Sequence, residues 1–251
     1  MDKKFYEEYY FLERNHWWFQ IRAKMISNFV KDYFNNKTDL KILNVGIATG
    51  LTTEILSSYG NVTSIEYDKD CCEFVREKLN IEVINGSVTE IPFEPKEFDL
   101  VCAFDVIEHV KEDDKAVNEL YRVCKDNGLI FITVPAFMSL WSEHDDINHH
   151  FKRYVMKEII ELFKNLKGQV IYNSYFNFLL FIPILAFRLI SKVLPKKAIR
   201  KGSGSDFNVI DNKSFINKIL YNIFNLEIKL IKSFKYPFGV SIMYMFKKID
   251  S

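Results

Sequence analysis

The sequence predicts an α/β fold built on a mostly parallel sheet, with a ligand site at the carboxyl ends of the strands. Three observations carry this. Leu40, Ile42, Leu43 and Val45 form a short apolar run entering a turn bounded by Gly46 and Gly50, and residues 51–59 then carry apolar positions at helical spacing. About twenty residues on, residues 61–66 read as a second strand ending in the carboxylate of Glu66, where an acid that holds a ribose diol is expected. Strands at 81–84 and 98–104 follow, separated by helical stretches, and such alternation argues for parallel pairing.

The elements follow in order along the chain. Residues 5–34 read as an aromatic-rich helical leader, with Trp17, Trp18, Phe19, Ile21, Met25, Ile26, Phe29 and Val30 on one apolar face that packs over the sheet or forms a lid. The glycine-bounded turn presents backbone N–H groups with no side chain at Gly46 or Gly50 to hold a ligand away. Asp68 is placed to cap the helix that follows the second strand, which carries Cys71 and Cys72 with one thiol inward. Residues 107–110 start a helix, with the charges of 111–114 directed to solvent. An amphipathic helix at 116–124, a turn at Asp126, Asn127 and Gly128, and a fifth strand at 129–134 come next. A helix at 156–166, a sixth strand at 169–175 and a last strand at 239–246 complete the pattern.

Composition narrows the function. Lys and Arg number 34 against 33 Asp and Glu, a net charge of +1, so no global charge favours nucleic acid as a partner. The four cysteines match neither a disulfide framework nor a metal-ligand spacing and read as reduced thiols. The charged, aromatic start MDKKFYEEYY has no secretory leader pattern, so a cytoplasmic protein is expected.

The segments NVGIATG, SIEYD, NGSVTEIPF and FDLVCAFDVIEHV, in this order and spacing over roughly residues 40–135, resemble the class I S-adenosylmethionine-dependent methyltransferases. HWWFQIR and SEHDDINHHFKRY make the chain similar to the small members found among surface-polysaccharide genes. The resemblance implies a Rossmann-like seven-stranded sheet, mostly parallel, with the last strand antiparallel and a helical insertion between strands six and seven. It implies a single domain: leader or lid 1–39, core sheet and cofactor site 40–175, insertion 176–238 and final strand 239–251. The implied cofactor is S-adenosyl-L-methionine, held by Gly46, Ile47, Ala48 and Gly50 of the turn, Glu66 on the ribose, Tyr67 on the adenine face, Ser87 and Val88 at the ring edge, Phe104 in the floor and Arg22 on the methionine carboxylate. Three positions depart from the family pattern. Asn44 replaces the usual acid and would reach the cofactor's amino group without a charge; Ala48 replaces a glycine, which the turn tolerates if φ there is negative; Ser87 replaces an aspartate.

The segment 136–154 leaves the strand ends carrying three of the five histidines. His149, His150 or His109 would remove a proton from an acceptor, since an imidazole accepts one near neutral pH. Glu108 and His109 are adjacent on the expected helix, pointing about 100° apart, so they read as wall groups rather than an acid and base pair. Trp141, His144, Arg153 and Tyr154 are the substrate candidates, with Arg153 orienting an anionic or sugar-like acceptor or pairing with an acid. His144, Asp145, Asp146, His149 and His150 are all metal-ligand types, but no second cluster stands at a suitable spacing and no metal is expected.

The insertion contains an apolar run at 178–187, too short to span a bilayer, which takes ~20 residues, and interrupted by Pro183. Arg188, Lys192, Lys196, Lys197, Arg200 and Lys201 follow, then a linker at 202–205 and a second apolar-striped helix at 215–234 flanked by Lys213, Lys218, Lys229, Lys232 and Lys235. This pattern predicts peripheral contact with an anionic membrane face through 176–235, a lipid-linked acceptor, or helices that pack on the core or across a homodimer. A saccharide, lipid-linked saccharide or other small-molecule methyltransferase is the expectation, in a monomer or homodimer. A quinone-like or fatty acyl acceptor is the alternative within the class. A non-catalytic cofactor-binding or membrane-scaffold protein and a nicotinamide oxidoreductase are the alternatives outside it.

Overall fold

The computed structural model describes residues 3–193 and 214–250. Lys196, Lys197, Arg200, Lys201, Lys213 and the 202–205 linker lie outside the described residues, as does the side chain of Lys192. Seven strands form one sheet: β1 (Leu40–Val45), β2 (Gly60–Glu66), β3 (Val83–Asn85), β4 (Phe98–Phe104), β5 (Cys124–Pro135), β6 (Gly168–Phe176) and β7 (Ser241–Lys248). Their order is β3-β2-β1-β4-β5-β7-β6, all parallel except β7, which runs antiparallel between β5 and β6. The chain winds outward from β1 to β3, then crosses to β4 on the other side, so a crevice opens between the carboxyl ends of β1 and β4. Central strands read as apolar runs because both faces are covered: Ile42, Leu43, Leu100, Val101, Ile130 and Phe131 are fully buried.

The leader is two helices, α1 (Lys3–Asn15) and α2 (Trp17–Tyr33), broken at His16. Burial pushes the His16 imidazole down to about 4, so the ring is neutral at neutral pH, and its Nδ1 accepts the Trp18 N–H as an N-cap. Ile21, Met25, Ile26, Phe29 and Val30 recur along α2 at helical spacing and pack on the sheet. After β1 come α3 (Leu51–Leu56) and, after β2, α4 (Lys69–Leu79), capped by Asp68 as its sequence predicts. Both Cys71 and Cys72 are buried, where one was expected inward.

Two expectations on the far side of the sheet are corrected. Residues 107–110 do not open a helix; Ile107–His109 make a single tight turn, and α5 (Asp113–Val123) begins later. Asp105 stands at φ 56°, donating its N–H to the Thr133 carbonyl. Nor do all the 111–114 charges face solvent, since Asp113 is buried under the Tyr154 hydroxyl, which donates to it at 3.0 Å. The expected turn at 126–128 lies within an irregular start of β5, where Asn127 keeps the positive φ of a turn residue.

Past β5 lie α6 (Glu143–Ile147) and α7 (Met156–Phe163), and the insertion after β6 supplies α8 (Phe181–Val193) and α9 (Phe215–Leu230). α9 packs on α2: Phe224 meets Trp17 edge-on at 5.9 Å, Asn217 accepts the Trp17 N–H, and Lys232 pairs with Asp32 just beyond the helix end. Arg188, read from sequence as part of a basic surface, is buried and donates to the Leu140 carbonyl. Among the described residues no helix is long and apolar enough to cross a membrane.

Candidate active site

A cavity of about 1080 Å³ occupies the crevice, large enough by ordinary pocket sizes for a cofactor and an acceptor together. Its walls come from the leader, the turn after β1, the ends of β2 and β4, the 144–153 segment and α8.

Gly46 lines it at φ +70°, and a Cβ there would lie 2.4 Å from the Val106 side chain, so only glycine fits. Ile47 and Ala48 line it too. Ala48 stands at φ 48°, against the expectation of a negative φ. The left-handed conformation costs a residue with a Cβ about 1 kcal/mol. Ala48→Gly is therefore expected to raise stability by roughly 0.5–1 kcal/mol, read from the denaturant midpoint; an unchanged or lower midpoint would show the methyl group to be accommodated. Gly50 faces away from the cavity: its φ of +93° caps α3, and a Cβ would strike Leu79. Asn44 is also corrected. It is fully buried outside the cavity and donates to Thr52 and Thr53, tying β1 to α3.

Glu66 lines the cavity and accepts the backbone N–H groups of Ala48 and Asp68, at 3.1 Å each. Burial raises its carboxyl above the ordinary value, while those N–H groups pull the other way. Tyr67 lies beside it, 79% exposed at the rim. Ser87 and Val88 follow along the wall, the Ser87 hydroxyl sharing a 2.8 Å hydrogen bond with Thr89. Glu13 of α1 was not singled out from sequence. It is buried in the wall and accepts the Thr49 hydroxyl, and burial raises its carboxyl to about 7. The available signal was an acid on the stripe Tyr6, Tyr9, Tyr10 and Glu13, which helical spacing turns inward.

Arg22 and Phe104 meet at the cavity floor. Arg22 is buried and pairs with Asp105 at 2.6 Å, donates to Thr133 at 3.2 Å and lies against the rings of Trp18 and Phe104. Its Nε is buried without a partner among the described residues. Next to it Glu108 is fully buried, and neither carboxyl oxygen accepts from another described residue. Burial, then the charge of Asp105, raises its carboxyl well above the usual range. Ligand atoms of Glu108, His109 and His150 lie within 4.8 Å of one another, although Glu108 and His109 are adjacent on the turn. Burial, with His150 adding to it, holds the His109 imidazole down at about 4, leaving it neutral. The His109 and His150 rings meet edge-on with centroids 4.6 Å apart.

The 136–154 segment is organised by Asp145, which is fully buried. It accepts from Arg153 Nε at 2.7 Å, His150 Nδ1 at 2.9 Å and the Ser142 N–H at 2.8 Å. Burial alone would raise its carboxyl, but His150 and Arg153 outweigh this and hold it well below the ordinary carboxylate range. Of the sequence candidates, His144, His149, His150 and Arg153 line the cavity, although Arg153 serves its ion pair. Tyr154 and Trp141 do not. Tyr154 is a core residue bonded to Asp113, and the Trp141 indole donates to Asp146 outside the cavity.

The sheet order, the glycine turn and the acid closing β2 define a class I methyltransferase fold. Residues 43–132 match the family model described as a methyltransferase domain, and two of the relatives, both from Mycobacterium tuberculosis, are named probable S-adenosylmethionine-dependent methyltransferases. The chain is 30% identical over 155 residues to the demethylmenaquinone methyltransferase of Staphylococcus aureus, covering 55% of this chain and 61% of that one. It is 29% identical over 99 residues to a phosphatidylethanolamine N-methyltransferase of Cereibacter sphaeroides, covering 37% and 49%. It spans between 35% and 62% of the lengths of the curated relatives it matches. Among solved structures, a candidate sarcosine dimethylglycine methyltransferase from Galdieria sulphuraria shares the fold with a TM-score of 0.61 at 16% identity, over 91% and 86% of the two chains.

Proposed function

We propose that the protein transfers a methyl group from S-adenosylmethionine to a small acceptor that has an apolar portion. The observation that carries the acceptor class is the insertion: Leu180, Pro183, Ile184 and Phe187, with Leu220 of α9, give the cavity an apolar wall. A lipid-linked saccharide, a quinone-like ring or a fatty acyl chain would meet such a wall. The quinone and phospholipid named in two of the relatives support the same class. Outward-facing apolar side chains on the insertion, among them Ile182 at 63% and Phe215 at 75% exposure, support drawing that acceptor from an apolar surface.

The side chains present suit the cofactor. Glu66 retains lone pairs for the ribose hydroxyls, Tyr67 offers a ring for the adenine, and Arg22 has an unpartnered N–H for the methionine carboxylate. Glu13 supplies the negative charge for the ammonium that Asn44 lacks. When bound, the sulfonium supplies an already activated methyl group, and the protein's task is positioning and exclusion of water. The leader rings of Trp17, Trp18 and Phe19 line the cavity, where they would help exclude water from the acceptor. His149, exposed at the mouth, is placed to carry a proton outward to solvent.

Calorimetric titration with S-adenosylmethionine and S-adenosylhomocysteine tests this reading. Binding of both is expected, weakened about tenfold or more by Glu66→Ala, the loss of charge-assisted hydrogen bonds of roughly 1.5–3 kcal/mol. No binding to the folded wild-type protein would leave the non-catalytic scaffold as the better reading.

A further inference from the structure

We propose that Glu108, His109 and His150 form a binding site for one divalent transition-metal ion in the wall of the cavity. The inference goes beyond methyl transfer, because it rests on a ligand set and not on the cofactor.

The carboxylate and the two imidazoles offer atoms that all lie within 4.8 Å of one another, so modest side-chain rotation brings them around a single ion. Two histidines and one carboxylate form a donor set that suits zinc, manganese, iron or cobalt and leaves positions open for an outside ligand. Glu108 adds a second, independent observation. Both its oxygens are buried without a partner from another described residue, a rare state for two polar atoms of one side chain, and a bound cation would satisfy both.

His150 is set up as a ligand by its surroundings. Its Nδ1–H donates to Asp145, which Arg153 and the Ser142 N–H hold in its ionised form. That hydrogen bond fixes the tautomer and leaves the Nε2 lone pair free, the carboxylate and histidine arrangement that commonly orients metal ligands. The same three residues explain why the 136–154 segment is tied down so firmly. Asp145 and Arg153 are the supports, and His150 is what they present.

The ion's open positions face the cavity, which Phe104, Asp105 and Arg22 also line. An oxygen of the acceptor would occupy one of them. This last step rests on the methyltransferase reading, whereas the metal site itself does not.

The test is titration of the chelator-treated full-length protein with Co²⁺, followed by its visible absorbance, and with Zn²⁺ by calorimetry. The wild-type protein is expected to bind one equivalent of each. Glu108→Gln and His109→Ala, each checked for folding by circular dichroism, are expected to lose at least tenfold in affinity. Absence of stoichiometric binding to the folded wild-type protein would overturn the proposal. So would wild-type affinity in whichever of the two variants folds, since the ion would then sit elsewhere. S-adenosylmethionine titrated into the same metal-free wild-type protein reads the cofactor separately, so failure of one reading is distinguishable from failure of the other.

Discussion

Arg153→Met is expected to destabilise the fold by about 3–5 kcal/mol, because it leaves the Asp145 carboxylate in the interior without its strongest partner. The two side chains are 3% and 0% exposed, so water cannot replace the guanidinium. Asp145 would keep only the Ser142 N–H and His150, and the Ala136 carbonyl would lose the Arg153 donor. Denaturant unfolding reads the loss directly. A shift below about 1 kcal/mol would place the pair among weak surface ion pairs, contrary to its burial. The double variant Arg153→Met, Asp145→Leu should recover part of the loss, since it removes the stranded charge as well as its partner.

The same pair has a pH signature. The folded-state value of Asp145 lies below that of the unfolded chain, so its contribution is fully present above the ordinary carboxylate range and is lost as pH falls through and below that range. Acid should therefore loosen the 136–154 segment, and His150 with it.

The sequence displays what is local. Short apolar runs between turn residues located the strands of the parallel part of the sheet, residue type the Asp68 cap and helical spacing the buried face of α2, because those signals depend on neighbours a few residues away. Gly46 was legible for the same reason: a glycine between strand and helix reports a tight backbone wherever it occurs. The errors concern partners distant in sequence. Asn44 looked like a cofactor contact but spends its amide on Thr52 and Thr53, and Tyr154 looked like a substrate contact but serves Asp113. Ala48 at positive φ has no local signal at all, since alanine does not announce a left-handed turn. Glu108 and His109 were read on a helix where the chain makes a single tight turn, and their approach to His150 had no local signal. The pairing of His109 with His150 arises only once β4 and β5 lie side by side.

Glu13 is where sequence and structure together make the sharpest functional expectation. Burial raises its carboxyl to about 7 in the folded protein from an ordinary 4.5, with Thr49 and the nearby arginines only partly opposing the shift. A group shifted upward in this way contributes stability that is fully present below its unfolded value and is lost as pH rises through about 7. The ligand-free protein should thus become less stable on this account between about pH 4.5 and about pH 7, and level off above that. Cofactor affinity should run in the opposite direction. The ionised carboxylate attracts the ammonium and the protonated form does not, so binding of S-adenosylhomocysteine should tighten over the same interval. Glu13→Gln is expected to weaken binding by about thirty- to a hundredfold at pH 8, the loss of roughly 2–3 kcal/mol of charge-assisted bonding, and to flatten the pH profile. It should also raise the stability of the ligand-free protein at that pH by up to about 3 kcal/mol, because the buried charge is gone. Opposite changes in affinity and stability from one isosteric substitution separate a cofactor-binding carboxylate from a merely structural one. A structural role would lower both together, and a pH-independent affinity in the wild-type protein would remove Glu13 from the ammonium site.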